Sequence, residues 1–310
     1  LQEYLVTADE LLTTEWNEPA WAVPDLLPTG LTILAGKPKI GKSWLGLQIA
    51  RAVATGGTMF GRPVKRAPIL YLALEDPPRR LSDRMRKQGW PLGTEADFMT
   101  IGEFASRLGN LENGSSHLAE QIEERGYRYV VIDTLSRAVR GSQSDVNQMT
   151  RALSPVQKVA HATDCAVVVV DHHKKNLSKN SDAITDILGS TAKGAMADCI
   201  WGIYRGRGTV STMLKIIGRE VAESVLKLTF DAQTGCWQYE GNPHELELTE
   251  RRQEIIDALQ AMGQSSLGDI VDFVDQPKGN THNRLQDLVN AGLVLRIEKG
   301  RRVYYTLLET

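Results

Sequence analysis

Eight consecutive residues, Gly36-Lys37-Pro38-Lys39-Ile40-Gly41-Lys42-Ser43, carry the clearest chemistry in the chain. They form a glycine-bounded loop that ends in a lysine and a hydroxyl, which is the P-loop pattern. The glycines let backbone N–H groups wrap a polyphosphate, Lys42 reaches the β- and γ-phosphates, and Ser43 ligates Mg²⁺. The apolar run 31–35 ahead of the loop reads as a strand. Residues 44–50 behind it read as a helix, whose N-terminus adds positive partial charge. Strand, loop and helix in that order predict a nucleoside-triphosphate site for ATP and Mg²⁺, lined by Gly36 through Trp44.

Three further strand ends supply groups suited to phosphoryl transfer. Residues 67–74 form a buried strand that stops at Glu75-Asp76-Pro77-Pro78, and ligands of open α/β sheets lie beyond the carboxyl ends of strands. Glu75 is thereby placed to orient and polarise an attacking water. Asp76 is read as the cap of a helix over 79–88 that the prolines open. Residues 127–132 lead to Asp133, a Walker-B acid that holds Mg²⁺ through its water shell. Residues 166–170 lead to Asp171-His172-His173-Lys174-Lys175. Adjacent histidines on extended backbone face opposite sides, which argues against a metal pair. His172 is read instead as a polar sensor of phosphate or water.

These groups need a framework, and composition allows one. The 310 residues have room for about two domains, and 24% charged with 6% aromatic residues is ordinary globular composition. A formal net charge of −2 excludes a global basic field, so any nucleic-acid contact must come from local patches. The three cysteines, Cys165, Cys199 and Cys236, are scattered and form no C-x-x-C, which fits buried thiols in a reducing cytoplasm. No apolar run is long enough to span a bilayer, and no signal-peptide pattern is legible, so no membrane partner is expected.

Residues 1–28 read as an arm that packs on the core or on a neighbouring subunit, with a short helical pattern at 8–12 and Trp16 and Trp21 as packing anchors. Residues 29–242 read as an α/β core with a mostly parallel twisted sheet. Within it, 98–101 is a short strand, 115–125 and 146–161 are helices, and 136–145 and 174–194 are polar loops. Strands at 199–204, 210–217 and 225–230 turn the sheet into an antiparallel ribbon, linked by Arg205-Gly206-Arg207-Gly208 and Gly218-Arg219-Glu220. Residues 243–248 read as a linker to a small α+β domain over 243–310. Thr249 caps its first helix, further helices follow near 265–273 and 280–291, and strands at 293–297 and 303–307 close it. Three helices followed by a hairpin form a winged helix, whose third helix enters the major groove. Lys278, His282, Asn283 and Arg284 stand at the start of that helix, and Lys299, Arg301 and Arg302 on the wing. A winged helix that binds protein is the alternative.

The P-loop, the Leu70–Asp76 segment, Val130-Val131-Ile132-Asp133, Val169-Val170-Asp171-His172-His173 and Gly218-Arg219-Glu220 together resemble the plasmid RepA-type hexameric helicase branch of the RecA-like P-loop ATPases. The resemblance covers roughly residues 5–238. It implies a RecA-like core and a homo-oligomeric ring, usually of six subunits, with ATP between neighbours. It also implies that Lys42, Glu75 and His172 act on the nucleotide together with Arg219, a finger inserted from the adjacent subunit. Arg205 and Arg207 compete for the finger role, being expected on the same edge. Lys215 stands four residues before Arg219, where related ring ATPases place a lysine two residues away. Loops 136–145, with Arg137 and Arg140, and 174–194, with Lys174, Lys175 and Lys179, would line a central channel for single-stranded DNA. The winged helix departs from the minimal helicase and suggests docking on duplex DNA such as an origin. The expected activity is an ATP-driven DNA translocase or helicase of the plasmid or mobile-element replication type. The alternative is an ATP-switched DNA-binding regulator or helicase loader. A P-loop kinase is disfavoured, since no arginine-bearing lid follows and a water-orienting Glu75 suits hydrolysis.

Overall fold

The computed structural model describes residues 5–15, 18, 20–141, 143, 145–172, 191–205, 211–300 and 302–308. The chain divides into two compact units, Leu1–Glu240 and Gly241–Thr310. Trp16, His173, Lys174, Lys175, Lys179, Arg207 and Arg301 lie outside the described residues.

The first unit opens with α1 (Ala8–Thr13), started by a capping box in which Thr7 and Glu10 exchange bonds. None of its residues is buried, so α1 itself does not pack on the core. The next strands, β1 (Trp21–Val23) and β2 (Leu27–Pro28), form a small hairpin. Ala22, Val23, Leu26 and Leu27 bury in the main core, and the Trp201 indole N–H donates to Leu26 O at 3.2 Å. The later part of the expected arm is thus part of the core.

The main elements follow in chain order: β3 (Gly30–Gly36), α2 (Lys42–Thr55), the small pair β4 (Thr58–Met59) and β5 (Arg62–Pro63), β6 (Ile69–Ala73), α3 (Pro78–Lys87), β7 (Ala96–Thr100), α4 (Ile101–Arg107), α5 (Leu111–Arg125), β8 (Tyr129–Asp133), α6 (Leu135–Ala138), α7 (Val146–Ala162), β9 (Ala166–His172), α8 (Thr191–Met196), β10 (Cys199–Arg205), β11 (Thr212–Gly218), β12 (Ser224–Asp231) and β13 (Cys236–Gly241). Among the described residues they build a nine-stranded sheet in the order β13-β12-β11-β10-β3-β9-β8-β6-β7. From β10 to β7 neighbouring strands run parallel, while β10, β11 and β12 pair antiparallel.

The parallel strands read as unbroken apolar runs because both of their faces are covered. Every residue of β3, β6 and β8 is buried. One face carries a core built with Leu45, Ile49 and Val53 of α2. The other packs Leu118 and Ile122 of α5 and Leu153 and Val156 of α7. Burial of that extent, at roughly 25 cal/mol per Å² of apolar surface, is the main force holding the strand ends in register.

The second unit contains α9 (Pro243–Met262), β14 (Ser265–Ser266), α10 (Leu267–Val274), α11 (Lys278–Asn290), β15 (Val294–Lys299) and β16 (Arg302–Leu307). Its strands form a sheet in the order β14-β16-β15 over a core of Ile255, Leu259, Ile270, Leu285, Leu288, Val294 and Tyr305. The linker expected at 243–248 is instead helical, and Thr249 lies inside α9 rather than capping it. Pro243 sits at the first helical position, where its missing N–H costs nothing, and the following Glu and Leu residues are strong helix formers.

Candidate nucleotide site

The carboxyl ends of β3, β6, β8 and β9 converge. Gly36 of β3 lies opposite His172 of β9, Asp133 of β8 opposite Val170, and Ala73 of β6 opposite Asp133. Register alone therefore gathers the P-loop, Glu75, Asp133 and His172 at one edge of the sheet.

The loop is shaped by its backbone. Lys39 and Gly41 take positive φ values of 63° and 108°, and Gly41 leads directly into α2 without a side-chain cap, leaving the helix N-terminus open to an anion. Gly41 is required twice over. A Cβ there would adopt a left-handed conformation and stand 2.7 Å from Trp237 Cζ2. Trp237 braces the loop from β13: its indole N–H donates to Gly41 O at 3.1 Å, while its backbone exchanges bonds of 2.7 and 2.9 Å with the Gln48 side chain. Lys37, Pro38 and Lys39 are exposed, and the Trp44 ring carries the Arg84 guanidinium at 5.0 Å.

Lys42 is buried, and its Nζ donates to Gly36 O at 2.8 Å and Lys37 O at 3.1 Å. The same ammonium lies 3.3 Å from His172 Nδ1. An ammonium can only donate, so Nδ1 accepts and the His172 proton sits on Nε2. Burial, then the Lys42 charge, lower the His172 pKa and favour the neutral ring. Burial also lowers the Lys42 pKa, against the pull of Asp133, Asp171 and Glu75. Phosphate oxygens would replace the loop carbonyls as partners of Lys42.

Asp133 is buried, and Tyr71 Oη donates to its Oδ2 at 2.7 Å. Its Oδ1 is buried with no hydrogen-bond partner. Burial raises the Asp133 pKa, while bonds from Tyr71 and Ser43 pull it back. An orphaned carboxylate oxygen beside a serine hydroxyl fits a hard divalent cation, so Ser43 and Asp133 would hold Mg²⁺ here. When bound, that ion neutralises charge on the β- and γ-phosphates. Glu75 is exposed at the same edge, and Thr134 Oγ1, itself 2.8 Å from Ser136 Oγ, donates to its Oε1 at 2.9 Å. Its carboxylate keeps a free face for a water.

Asp76 does not cap α3. Pro77 is the N-cap residue with no side-chain bond, and Asp76 binds Arg80 at 3.1 Å together with Arg84. Two guanidiniums on the first two turns of α3 take the carboxylate in place of the helix N–H groups.

The finger candidates separate. Gly218 pairs with Cys199, which pairs with Thr32, so Arg219 leaves the sheet at the start of β3, opposite the phosphate edge. Arg205 follows Ile203, the partner of Gly36, and its Nε donates to Thr212 Oγ1 at 3.0 Å. Arg205 and Arg219 are therefore on opposite edges, correcting the expectation of a shared one, because each reversal of an antiparallel ribbon changes edge. Lys215 stays within β11, opposite Gly202, with its ammonium over the Tyr204 ring.

Of the basic residues read as DNA contacts, Arg137 on α6 and Arg140 just beyond it are exposed. In the second unit Lys278, His282, Asn283 and Arg302 are exposed, whereas Arg284 is partly buried and donates to Gln276 Oε1 at 2.9 Å. Tyr71, Thr134 and Trp237 escaped sequence reasoning, since each acts through a partner distant in the chain.

Residues 2–178, more than half of the chain, match the family model described as AAA domain. Among solved structures, the chain is similar to the KaiC-like protein PH0186 from the hyperthermophilic archaeon Pyrococcus horikoshii OT3, with 13% identity and a TM-score of 0.50 over 74% of this chain and 99% of that one. It is also similar to the RadB recombinase, with 14% identity and a TM-score of 0.50 over 69% of this chain and 91% of that one. At such identities the likeness establishes the RecA-like P-loop fold. Among the described residues, no helix is long and apolar enough to cross a membrane.

Proposed function

The chain belongs to the AAA domain family, and from that premise we propose that this P-loop ATPase is a ring-forming, ATP-driven DNA translocase or helicase of the plasmid or mobile-element replication type. The observation that carries the reading is the position of Arg219. It stands at the far edge of the sheet from Lys42, across roughly 20 Å of β3, too far to meet its own nucleotide, and in this reading it acts on that of a second copy. A site that needs two copies couples hydrolysis to the geometry between them. Six copies close the ring in this reading, in a cytoplasmic setting that suits three free cysteines.

Within one site, Glu75 holds and polarises the water, with Thr134 fixing its carboxylate. Lys42 and the N-terminus of α2 take the phosphates, and His172 reports whether Lys42 is engaged by a phosphate or by the loop. The exposed Arg137 and Arg140 follow β8 at the same edge, suited to tracking the backbone of single-stranded DNA in a central channel. Lys174, Lys175 and Lys179, which follow β9 in the sequence, are proposed contacts of the same strand. The helices and hairpin of the second unit are read as a winged helix, and Lys278, Arg301 and Arg302 would suit it to duplex DNA.

The test combines solution mass with and without ATP, ATP turnover with and without single-stranded DNA, and separation of a forked duplex. DNA-stimulated turnover by an oligomer that parts the fork is expected. Duplex binding with turnover but no separation would replace helicase by loader or regulator, and a persistent monomer would overturn the ring. Lys42→Ala should lose nucleotide binding, whereas Glu75→Gln should bind ATP and turn it over about 10²- to 10⁴-fold more slowly.

A further inference from the structure

We infer that α8 is the bracket that aims Arg219, pinned at the phosphate edge by the Lys193–Asp171 ion pair and at the far edge by Asp198, so that Lys193 and Asp198 are positioning residues for the arginine delivered to a neighbouring copy. The inference rests on the reading of Arg219 as a residue that acts on that copy's nucleotide.

The two ends of one short segment are tied to opposite edges of the sheet, one to β9 and the other to β3. Lys193 Nζ donates to Asp171 Oδ2 at 2.6 Å and to Gln143 Oε1 at 2.7 Å. Asp171 lies opposite Ala35, next to His172, the residue that accepts from Lys42. Both charges of the pair are buried, so the bond is directional and removing one partner strands the other away from water.

Asp198 anchors the other end. Its N–H donates to Leu31 O and its Oδ2 accepts from Leu31 N, each at 2.8 Å. The nest is tight, since a Cβ on Gly30, which has φ of 102°, would stand 2.6 Å from Asp198 Oδ2. His161 Nε2 lies 3.0 Å from the same oxygen. From this anchor Arg219 is held three ways. Its backbone N–H donates to Asp198 O at 2.9 Å, its Nη2 donates to Ala195 O at 3.1 Å, and its Nη1 lies 3.5 Å from Asp198 Oδ1. Two of those partners belong to the turn that ends α8 and the third is the last-turn carbonyl of α8 itself. The side chain stays 63% exposed on a cleft of about 400 Å³ that Glu18, Thr29, His161 and Asp164 also line. It is oriented yet accessible, as a group acting outside its own chain must be.

Lys193 therefore sits beside its own nucleotide site but serves the next one. Complementation distinguishes the two roles. Lys42→Ala chains lack a site but keep the arginine, and Arg219→Ala chains keep a site but lack the arginine. Random mixing should complete about a quarter of the interfaces and restore about that share of ATP turnover. Absence of rescue in mixed oligomers would overturn the parent reading, and this inference with it.

Given that rescue, Lys193→Met should lose about 10- to 100-fold in turnover, the range expected when a catalytic group is displaced by about 1 Å. It should bind ATP within about threefold of the wild type, the displacement lying outside its own site. Mixing with Lys42→Ala should restore turnover, and mixing with Arg219→Ala should not. The reverse pattern would assign Lys193 to its own site and overturn the inference, as would wild-type turnover or rescue by neither partner. Asp198→Asn, nearly isosteric, should fall in the same class. It decides the matter from the other end of α8 if Lys193→Met does not fold.

Discussion

Tyr71 Oη donates to Asp133 Oδ2 across 2.7 Å, with both side chains buried under the first turn of α2. Burial first, and the Asp133 charge second, hold the Tyr71 pKa well above 10, so the phenol remains a donor at any working pH. With Oδ2 occupied, Oδ1 is the oxygen that would be left for a cation. In the proposed role of Asp133 as the Walker-B acid, Tyr71 would set which oxygen is left to hold the ion, as outer-shell donors do in metal sites.

Tyr71→Phe should therefore raise the Mg²⁺ concentration needed for half-maximal ATP turnover by about 10-fold, within the range for lost outer-shell partners. Stability should fall by about 1–3 kcal/mol because a buried acceptor loses its donor. A Mg²⁺ titration of turnover beside thermal unfolding checks both. An unchanged metal dependence would leave Tyr71 with packing alone.

His172 predicts a pH dependence. Its pKa is lowered below the ordinary 6.5, by burial first and by Lys42 next. Between the folded pKa and 6.5 the unfolded chain binds more protons than the folded one, so stability rises with pH through that window. The contribution is fully present above 6.5 and is lost as pH falls through the folded value. From about pH 7 to about pH 5 the wild-type thermal midpoint should drop more steeply than that of His172→Asn, whose amide does not titrate. Parallel curves would mean that His172 ionises as freely in the fold as out of it.

How much of this was legible beforehand follows from where the information lies. The P-loop, Glu75 and Asp133 announce themselves because buried parallel strands are unbroken apolar runs, and polar residues at their carboxyl ends can only sit at the ligand edge. The antiparallel ribbon was readable as strands but not as edges. Arg205 and Arg219 each neighbour a glycine in the sequence, and only the strand directions separate them. Residues 243–248 read as a linker because proline punctuates both loops and helix starts. Lys193, within the stretch 174–194 read as a polar loop, lies instead in α8 with its side chain buried, and Tyr71, Thr134, Asp198 and Trp237 gave no local signal. Their roles are contacts to residues far along the chain, such as the bond between Trp237 and Gly41.

Single-strand contact by the loop after β8 makes a salt prediction. Arg137 and Arg140 are exposed, so replacing either with Ala should change stability by no more than about 0.5 kcal/mol. If each meets a phosphate, each substitution should weaken single-stranded DNA binding and reduce the slope of log affinity against log salt by about 0.7. Binding measured across a salt series reads both effects. A weaker affinity with an unchanged slope would place these arginines away from the backbone.

Trp237 tests whether the P-loop is shaped from outside itself. The indole is fully buried between the loop and Phe230, 5.1 Å away between ring centroids, and its N–H is the partner of Gly41 O. Trp237→Phe keeps an aromatic ring against Gly41 but removes that donor, leaving the carbonyl with its bond from Leu45 N alone, a loss of about 0.5–1.5 kcal/mol. The cost falls on the turn that presents backbone N–H groups to phosphate, so it should appear as weaker ATP binding, about 2- to 12-fold if about 0.5–1.5 kcal/mol reaches the bound state. Turnover at saturating ATP should change far less, because Glu75 is positioned independently by Thr134. Nucleotide titration and steady-state kinetics separate the two. A fall in kcat with unchanged binding would mean that the brace acts on catalysis rather than on the cradle.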